Sequence, residues 1–432
     1  MASLIQSIDA LEILDSRGFP TLRVIVTLDD GSRGTASAPA GASTGRHEVA
    51  EYRDNDQERY GGKGVWRAVQ RVRADVAQTL QGRAATDQAE VDGDLVKFYG
   101  ESRDGELGSN VMCAVSMALA RAAATSLALP LYAYLGGPSA HRLPVPMMNV
   151  INGGKHADNS LDFQEFMIVP HGAPTFSEAL RYGAETFHAL RAILHDKGHT
   201  TAVGDEGGFA PNLSSNEEAC ELILKAIAAA GLQPGKDIAL ALDPAASSFF
   251  IDGQYVLGGS AKPVAELQNY YRHLVDTYPI VSIEDGFAED DWDGFRTHMA
   301  QLGSRIQIVG DDLYTTDAAR IRRGVAEKTS NAVLIKINQI GTLTGTVDAI
   351  DACRDSGQRF VVSHRSGETE DTFIADFTVA MGGGQIKTGS LSRSERVAKY
   401  NRLLEIEHEL GDTALFQSPF MKAAAANGGN AG

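Results

Sequence analysis

The stretch IQIVGDDL (residues 306–313), with AVLIKIN (332–338), FVVSHRS (360–366) and QIKTGS (385–390) after it, decides the fold. Each is a short run rich in Ile, Val or Leu that stops at a charged or polar residue. Continuous apolar runs of this length are what parallel strands buried on both faces require. Working upstream, IALALDP (238–244) and IVSIEDG (280–286) repeat the pattern. The residues at which the runs stop are Asp243, Glu284, Asp311, Lys336, His364 and Lys387, separated by 41, 27, 25, 28 and 23 positions. These are lengths of a strand plus a helix. Repeated units of this kind point to an α/β fold with a closed barrel, in which functional groups gather at the C-terminal ends of the strands. An open doubly wound sheet is the alternative architecture, but no GxGxxG or GxxxxGK[ST] loop follows a first strand.

Before this repeat the texture differs. LRVIVTLDDGSRGTASA, from Leu22, predicts two strands joined at a DDG turn. VWRAVQRVRADVAQTL and NVMCAVSMALARAAATSLAL predict helices, the second ended by Pro130. The Gly- and Pro-rich GGPSAHRLPVP (136–146) marks a boundary, giving a smaller N-terminal α+β domain over 1–140 and a barrel domain over 141–432.

The 432 residues are 43% hydrophobic and carry a net charge of −17. Such an acidic chain is a poor partner for nucleic acid. One that handles an anionic substrate needs cations collected locally, a metal among them. Three scattered cysteines, Cys113, Cys220 and Cys353, form no disulfide framework and suit a reducing, cytoplasmic setting. The N-terminus lacks the basic and apolar regions of a signal peptide, and no run of about 18 apolar residues predicts a membrane span.

Asp243, Glu284 and Asp311 are carboxylates at successive strand ends, suited to a hard divalent cation such as Mg²⁺ that takes few protein oxygens. A single such acid is as well explained as a solvated loop start; three in succession point to a metal site. Lys336 follows an apolar run, and a lysine crowded by a metal and a second cation has its ammonium form disfavoured, so it can act as a base. Lys387 is the candidate second cation. Between them His364, Arg365 and Ser366 offer a fork and a hydroxyl suited to phosphate. Together these groups imply a small phosphorylated carboxylic acid that loses its α-proton. VGDEGGFAPN presents Asp205 and Glu206, a pair that a turn explains as well as catalysis, although paired carboxylates can raise one partner's pKa. APAGASTGRHE holds Ser43 and His47 in a glycine-flanked loop expected to be mobile. GGKHADNSLDFQEF places His156 and Glu165 before a strand-like FMIVP.

EILDSRG, GASTG, GDEGGFAPN, SIEDG, SHRSGETED and GQIKTGS together resemble the enolase family over nearly the whole chain, SHRSGETED beside GQIKTG being the most specific. The resemblance implies a small α+β domain before an eight-stranded barrel whose first units depart from simple βα order. It implies dehydration of 2-phosphoglycerate to phosphoenolpyruvate in a homodimer or higher homo-oligomer. It makes Asp243, Glu284 and Asp311 ligands of one Mg²⁺, with Ser43 ligating a second that arrives with substrate. Lys336 would take the C2 proton and Glu206 would protonate the departing C3 hydroxyl. Lys387 would neutralise the substrate carboxylate, Arg365 and Ser366 would hold the phosphate, and His156, Glu165 and His364 would line the pocket.

Phe19, Ala40, Pro244, Ser248, Phe250 and Gly345 stand where the family usually has other residues. They raise two other readings, a paralogue acting on a phosphonate such as a carboxyphosphonoenolpyruvate synthase, and a non-catalytic binding protein. Retention of Lys336, Glu206, Lys387 and the three metal carboxylates opposes the second. Arg23 and Glu405 reverse the signs of a pair that meets across the family's dimer interface, so a swapped intersubunit ion pair is expected.

Overall fold

The structure is a computed structural model that describes residues 3–41, 45–101 and 108–420. It opens with a three-stranded antiparallel sheet of Ile5–Leu14, Pro20–Leu28 and Arg33–Ser37. The two strands expected on either side of the DDG turn are present. The strand before them went unread because its single buried residues, such as Ile8 and Ala10, make too sparse a pattern. Leu22, Val24, Val26 and Leu28 alternate along one face of Pro20–Leu28 and are buried. Against the sheet lies the helix Ser109–Ser126, buried over almost its whole length. Its other side meets the helices Ile337–Ile340 and Leu343–Asp355 of the barrel. At Gly34 the sheet comes so near this helix that a Cβ would lie 2.0 Å from the Ala118 carbonyl oxygen and 2.2 Å from the Ala122 nitrogen. Only glycine permits that approach.

Eight strands close the barrel: Val145–Asn152, Glu165–Val169, Ala239–Asp243, Ile280–Glu284, Gln307–Gly310, Ala332–Ile335, Arg359–Ser363 and Gln385–Lys387. The last six are the apolar runs read from the sequence. The second strand is antiparallel to both neighbours, and all other pairings are parallel. This is the expected departure from simple βα order. Inside the barrel Val145, Met147, Met167, Val309, Leu334 and Val361 belong to an apolar cluster of their own, a floor beneath the strand ends.

The N-terminal unit is tied to the segment that follows the seventh barrel strand. Ala40 and Gly367 exchange main-chain hydrogen bonds at 2.7 and 2.9 Å, Ser16 N–H donates to the Glu368 carbonyl, and Arg121 pairs with Asp371 at 2.7 Å. Arg23 donates to Glu370 at 2.6 Å, and Glu405 accepts from Arg402 at 3.0 Å. Both charges find partners within the chain. Among the described residues no single helix is long and apolar enough to cross a membrane.

Adding one methyl at Gly34 forces backbone apart from backbone, so Gly34→Ala is expected to destabilise the protein by about 1–3 kcal/mol. Chemical denaturation with unchanged midpoint would show that the helix can withdraw freely. His298, fully buried beside Gln268 and the rings of Tyr271 and Phe287, has its pKa driven down to about 3 by burial. The unfolded chain protonates this residue near pH 6.5, so stability falls as pH drops below that value toward 3. The loss from His298 is about 2 kcal/mol by pH 5. His298→Asn should flatten the decline in denaturation midpoint between pH 7 and 5; an identical slope in the variant would assign it to other groups.

Candidate active site

The reversed second strand explains how one mouth collects side chains from so many parts of the sequence. Parallel strands deliver residues at their C-terminal ends, but an antiparallel strand delivers the residue at its start. Glu165 begins its strand and pairs in register with Asp243, which ends the next. All the residues expected at the site except Glu284 and Ser43 line one cleft at this end of the barrel. Glu284 lies just behind it, linked through Lys387. Ser43 falls outside the described residues. His47, in contrast, is on the exterior, 3.1 Å from Asp290.

Lys387 Nζ lies 2.8 Å from Asp243, 2.9 Å from Glu284 and 3.2 Å from Glu165. Burial works to lower its pKa, but Asp243, Glu165 and Glu284 hold it well above the usual lysine value. Lys336 Nζ is in contact with Asp311. Burial again favours the neutral amine, yet Asp311 prevails and the pKa is raised. The immediate neighbour of this lysine is the carboxylate of Asp311.

The other wall holds His156, with Nδ1 3.8 Å from Glu165 and 3.6 Å from Glu206, and Nε2 3.1 Å from Ser366 Oγ. Arg396 donates to His364 Nδ1 at 2.6 Å. Since arginine only donates, that nitrogen is an acceptor and the ring proton sits on Nε2, 3.4 Å from Glu206. Burial lowers the pKa of both histidines, that of His364 to about 3. Burial and the charge of Glu206 push Glu165 well up. Burial would also raise Glu206, but His364 and His156 hold it well below the usual range. The two carboxylates are thus driven apart, Glu165 upward and Glu206 downward. The acid that partners Glu206 is Glu165, not the adjacent Asp205, and the raised pKa belongs to Glu165.

The cleft lining includes the acids Glu165, Glu206, Asp243, Asp285, Asp311 and Asp312 against the cations Lys336, Arg365 and Lys387. That excess of negative charge would repel an anionic substrate and suits a hard divalent cation, which prefers carboxylate oxygens. Glu284 Oε2 is buried without a hydrogen-bond partner, a further oxygen fit for a metal. The triad Asp243, Glu284 and Asp311 does not, however, form the tightest cluster. Donor atoms within 4.8 Å of one another come from Asp285, Asp311 and Asp312, and from His156, Glu165 and Glu206. Within the triad Asp243 and Glu284 are bridged by Lys387, and Asp311 meets Lys336. Asp285, in the left-handed region at φ 41°, accepts the main-chain N–H of Asp311 and Asp312 and so braces this corner.

Several participants were not singled out from sequence. Asn149 donates to Glu206 at 3.1 Å, Gln339 to Asp311 at 3.1 Å, and Glu48 pairs with Arg365 at 2.9 Å. Nothing local marks them; a polar residue inside the apolar MMNVI was the available signal for Asn149.

Residues 5–135 match the family description "Enolase, N-terminal domain", and residues 140–424 match "Enolase, C-terminal TIM barrel domain". The chain is 60% identical over 419 residues to "Enolase 1" of Methylococcus capsulatus, covering 96% of this chain and 100% of that protein. It is 57% identical to the protein named "Enolase" of Desulfotalea psychrophila over 96% of this chain and all of the relative. A third relative, "Enolase" of Acidothermus cellulolyticus, is 56% identical with 96% of each chain covered. With both units matched and such identity along nearly its whole length, the chain belongs to the enolase family.

Proposed function

We propose that this chain is a hydro-lyase that dehydrates 2-phosphoglycerate to phosphoenolpyruvate, the glycolytic reaction of a cytoplasmic homodimer. The observation that carries this reading is the division of the cleft. Lys336 stands against Asp311 at one side of the cleft, and Glu206 stands beside His156 and His364 at the other. Elimination needs a base at C2 and an acid at C3, and these two sides supply them.

In this reading residues 1–140 cap the barrel of 141–432, and Arg365 with Ser366 holds the substrate phosphate. Asp243, Glu284 and Asp311 would hold one Mg²⁺, and a second would arrive with substrate at Ser43. Bound Mg²⁺ supplies positive charge against the substrate carboxylate as that group gains negative charge, the largest available source of stabilisation. Lys336 Nζ, freed of its proton, takes the C2 hydrogen as a proton, leaving the electron pair on C2 and the carboxylate. Lys387, held cationic by its carboxylate neighbours, faces that growing charge. Glu206 in its acid form then gives its proton to the C3 hydroxyl. The C3–O bond breaks, water leaves, and the electron pair on C2 becomes the C2–C3 double bond. His364, with its proton fixed on Nε2 by Arg396, orients Glu206 for that transfer.

The unusual residues Phe19, Ala40, Pro244, Ser248, Phe250 and Gly345 are all absent from the cleft lining. Phe19 instead receives Lys63 Nζ over its ring at 3.5 Å, and Phe250 packs on Tyr255. This gives no reason for a phosphonate substrate, and the relatives do not favour one.

Turnover of 2-phosphoglycerate with Mg²⁺, read from the absorbance of the enol phosphate, tests the reading directly. Lys336→Ala is expected to lose C2 hydrogen–deuterium exchange along with turnover, by about 10²–10⁴-fold. Glu206→Gln should keep exchange while net dehydration falls. Normal exchange in the lysine variant would place the base elsewhere.

Because the folded cleft gathers carboxylates that the unfolded chain disperses, Mg²⁺ should raise the unfolding midpoint. The gain is about 2.7 kcal/mol at ~100 times the dissociation constant. Glu284→Gln should shrink it; an Mg²⁺ response identical in variant and parent would count against the proposed ligand set.

A further inference from the structure

Glu48 has no part in the reaction described above, yet it is bonded to Arg365, which lines the cleft. Its side chain is 5% exposed and that of Arg365 3%. Arg365 Nη2 donates to the two oxygens of Glu48 at 3.2 and 2.9 Å, while Nη1 donates to Asn338 Oδ1 at 2.9 Å. A guanidinium carries five N–H donors in one rigid plane. Contacts to Glu48 on one nitrogen and Asn338 on another settle the orientation of that plane and leave further donors for an anion. The carboxylate of Glu48 is itself held, since Oε1 accepts from Gly45 N–H at 2.9 Å and from Gln339 Nε2 at 3.3 Å. Gln339 also donates to Asp311. Glu48 thus joins the loop end at Gly45, the Arg365 guanidinium and the corner that holds Asp311.

We propose that Glu48 is a positioning residue for the substrate phosphate, holding the Arg365 guanidinium in the orientation in which its remaining donors meet the phosphate oxygens. The inference rests on the reading of Arg365 as the phosphate clamp.

Two effects oppose one another at this site. The negative charge of Glu48 weakens the pull of Arg365 on an anion, so its removal strengthens the bare attraction. Removal also leaves a buried guanidinium unsatisfied, with Glu51 and Asp311 as the other carboxylates acting on it. Turning toward either re-aims the fork. A planar donor contacts phosphate through paired bonds that are lost together when the plane rotates. Misplacement by about 1 Å can cost about 100-fold. Orientation therefore outweighs the freed charge.

The phosphate keeps its charge while C2–H and C3–O break, so its contact with Arg365 is as strong in the ground state as in the transition state. Loss of such a contact raises KM and leaves kcat nearly unchanged. A general loosening of the fold would instead lower kcat by reducing the active fraction.

Steady-state kinetics on 2-phosphoglycerate with Mg²⁺, for Glu48→Ala, Glu48→Gln, Arg365→Lys and the Glu48→Ala/Arg365→Lys double variant, test the proposal. Glu48→Ala is expected to raise KM by roughly 10–100-fold with kcat within a few-fold. Glu48→Gln should recover most of the loss, because its amide oxygen still accepts from Arg365. Once Arg365 is lysine there is no plane to orient, so adding Glu48→Ala should change KM little further. If Glu48→Ala does not fold, Glu48→Asp, which withdraws the carboxylate by one methylene, should raise KM in the same direction. Calorimetric titration with inorganic phosphate reads the orientation of Arg365 without turnover. It should show weaker binding in the alanine variant and recovery in the glutamine variant. Absence of turnover by the parent protein sinks the phosphoglycerate reading, and the phosphate titration still decides the role of Glu48. An unchanged or lowered KM in the alanine or aspartate variant, a fall in kcat at constant KM, additive effects in the double variant, or tighter phosphate binding in the alanine variant would each overturn the positioning role.

Discussion

Lys387 sits fully buried with its ammonium within 3.2 Å of carboxylates from three other strands, Glu165, Asp243 and Glu284. Taking any of these charges out of water alone is costly, and the cost is met only where opposite charges meet with good geometry. The mouth of the barrel is built on this constraint. Its carboxylates are tolerable because lysines bridge them, and the lysines stay cationic because carboxylates surround them. The same arrangement prepares the chemistry. An acid-rich pocket attracts a divalent cation, and cations already in place face the charge that grows when a proton leaves carbon next to a carboxylate.

The scaffold beneath makes this possible by keeping neutral groups in its interior. Val145, Met167, Val309, Leu334 and Val361 pack together there, and buried Gln307 bonds to Gln385 and Ser282, so charge gathers at the strand ends. The antiparallel second strand adds a carboxylate that a simple repeat would have sent to the opposite end of the barrel. The N-terminal sheet and its buried helix press on the segment after His364 through Ala40, Ser16 and Arg121. Residues from the beginning of the chain thus stand behind this segment, and Glu48 among them reaches Arg365 across 317 positions.

The departures from the family's usual residues fall into place with less consequence than their positions suggested. Pro244 follows a proposed metal ligand, yet the next residue, Ala245, adopts the left-handed region at φ 48° and donates its N–H to Asp243. The carboxylate is thus braced from its own main chain. Ala40 contributes through its backbone, which pairs with Gly367 and asks nothing of its side chain.

The sequence by itself determined the barrel, through six apolar runs at strand-plus-helix spacing, and the residues at their ends, because strand periodicity and chain length are local properties. It also determined the family, through motifs such as SHRSGETED that are contiguous. It did not determine which charges meet. Asp311 comes beside Lys336, and Glu165 and two histidines come near Glu206, only in the folded chain. Nor did it mark Glu48 or Asn149, whose importance lies wholly in what they touch. A pKa depends on burial and on the charges a few ångströms away, and for these groups every such neighbour comes from a distant part of the chain. Only the tertiary structure decided which carboxylate is pushed toward its acid form, which lysine meets which acid, and what Arg365 is held against.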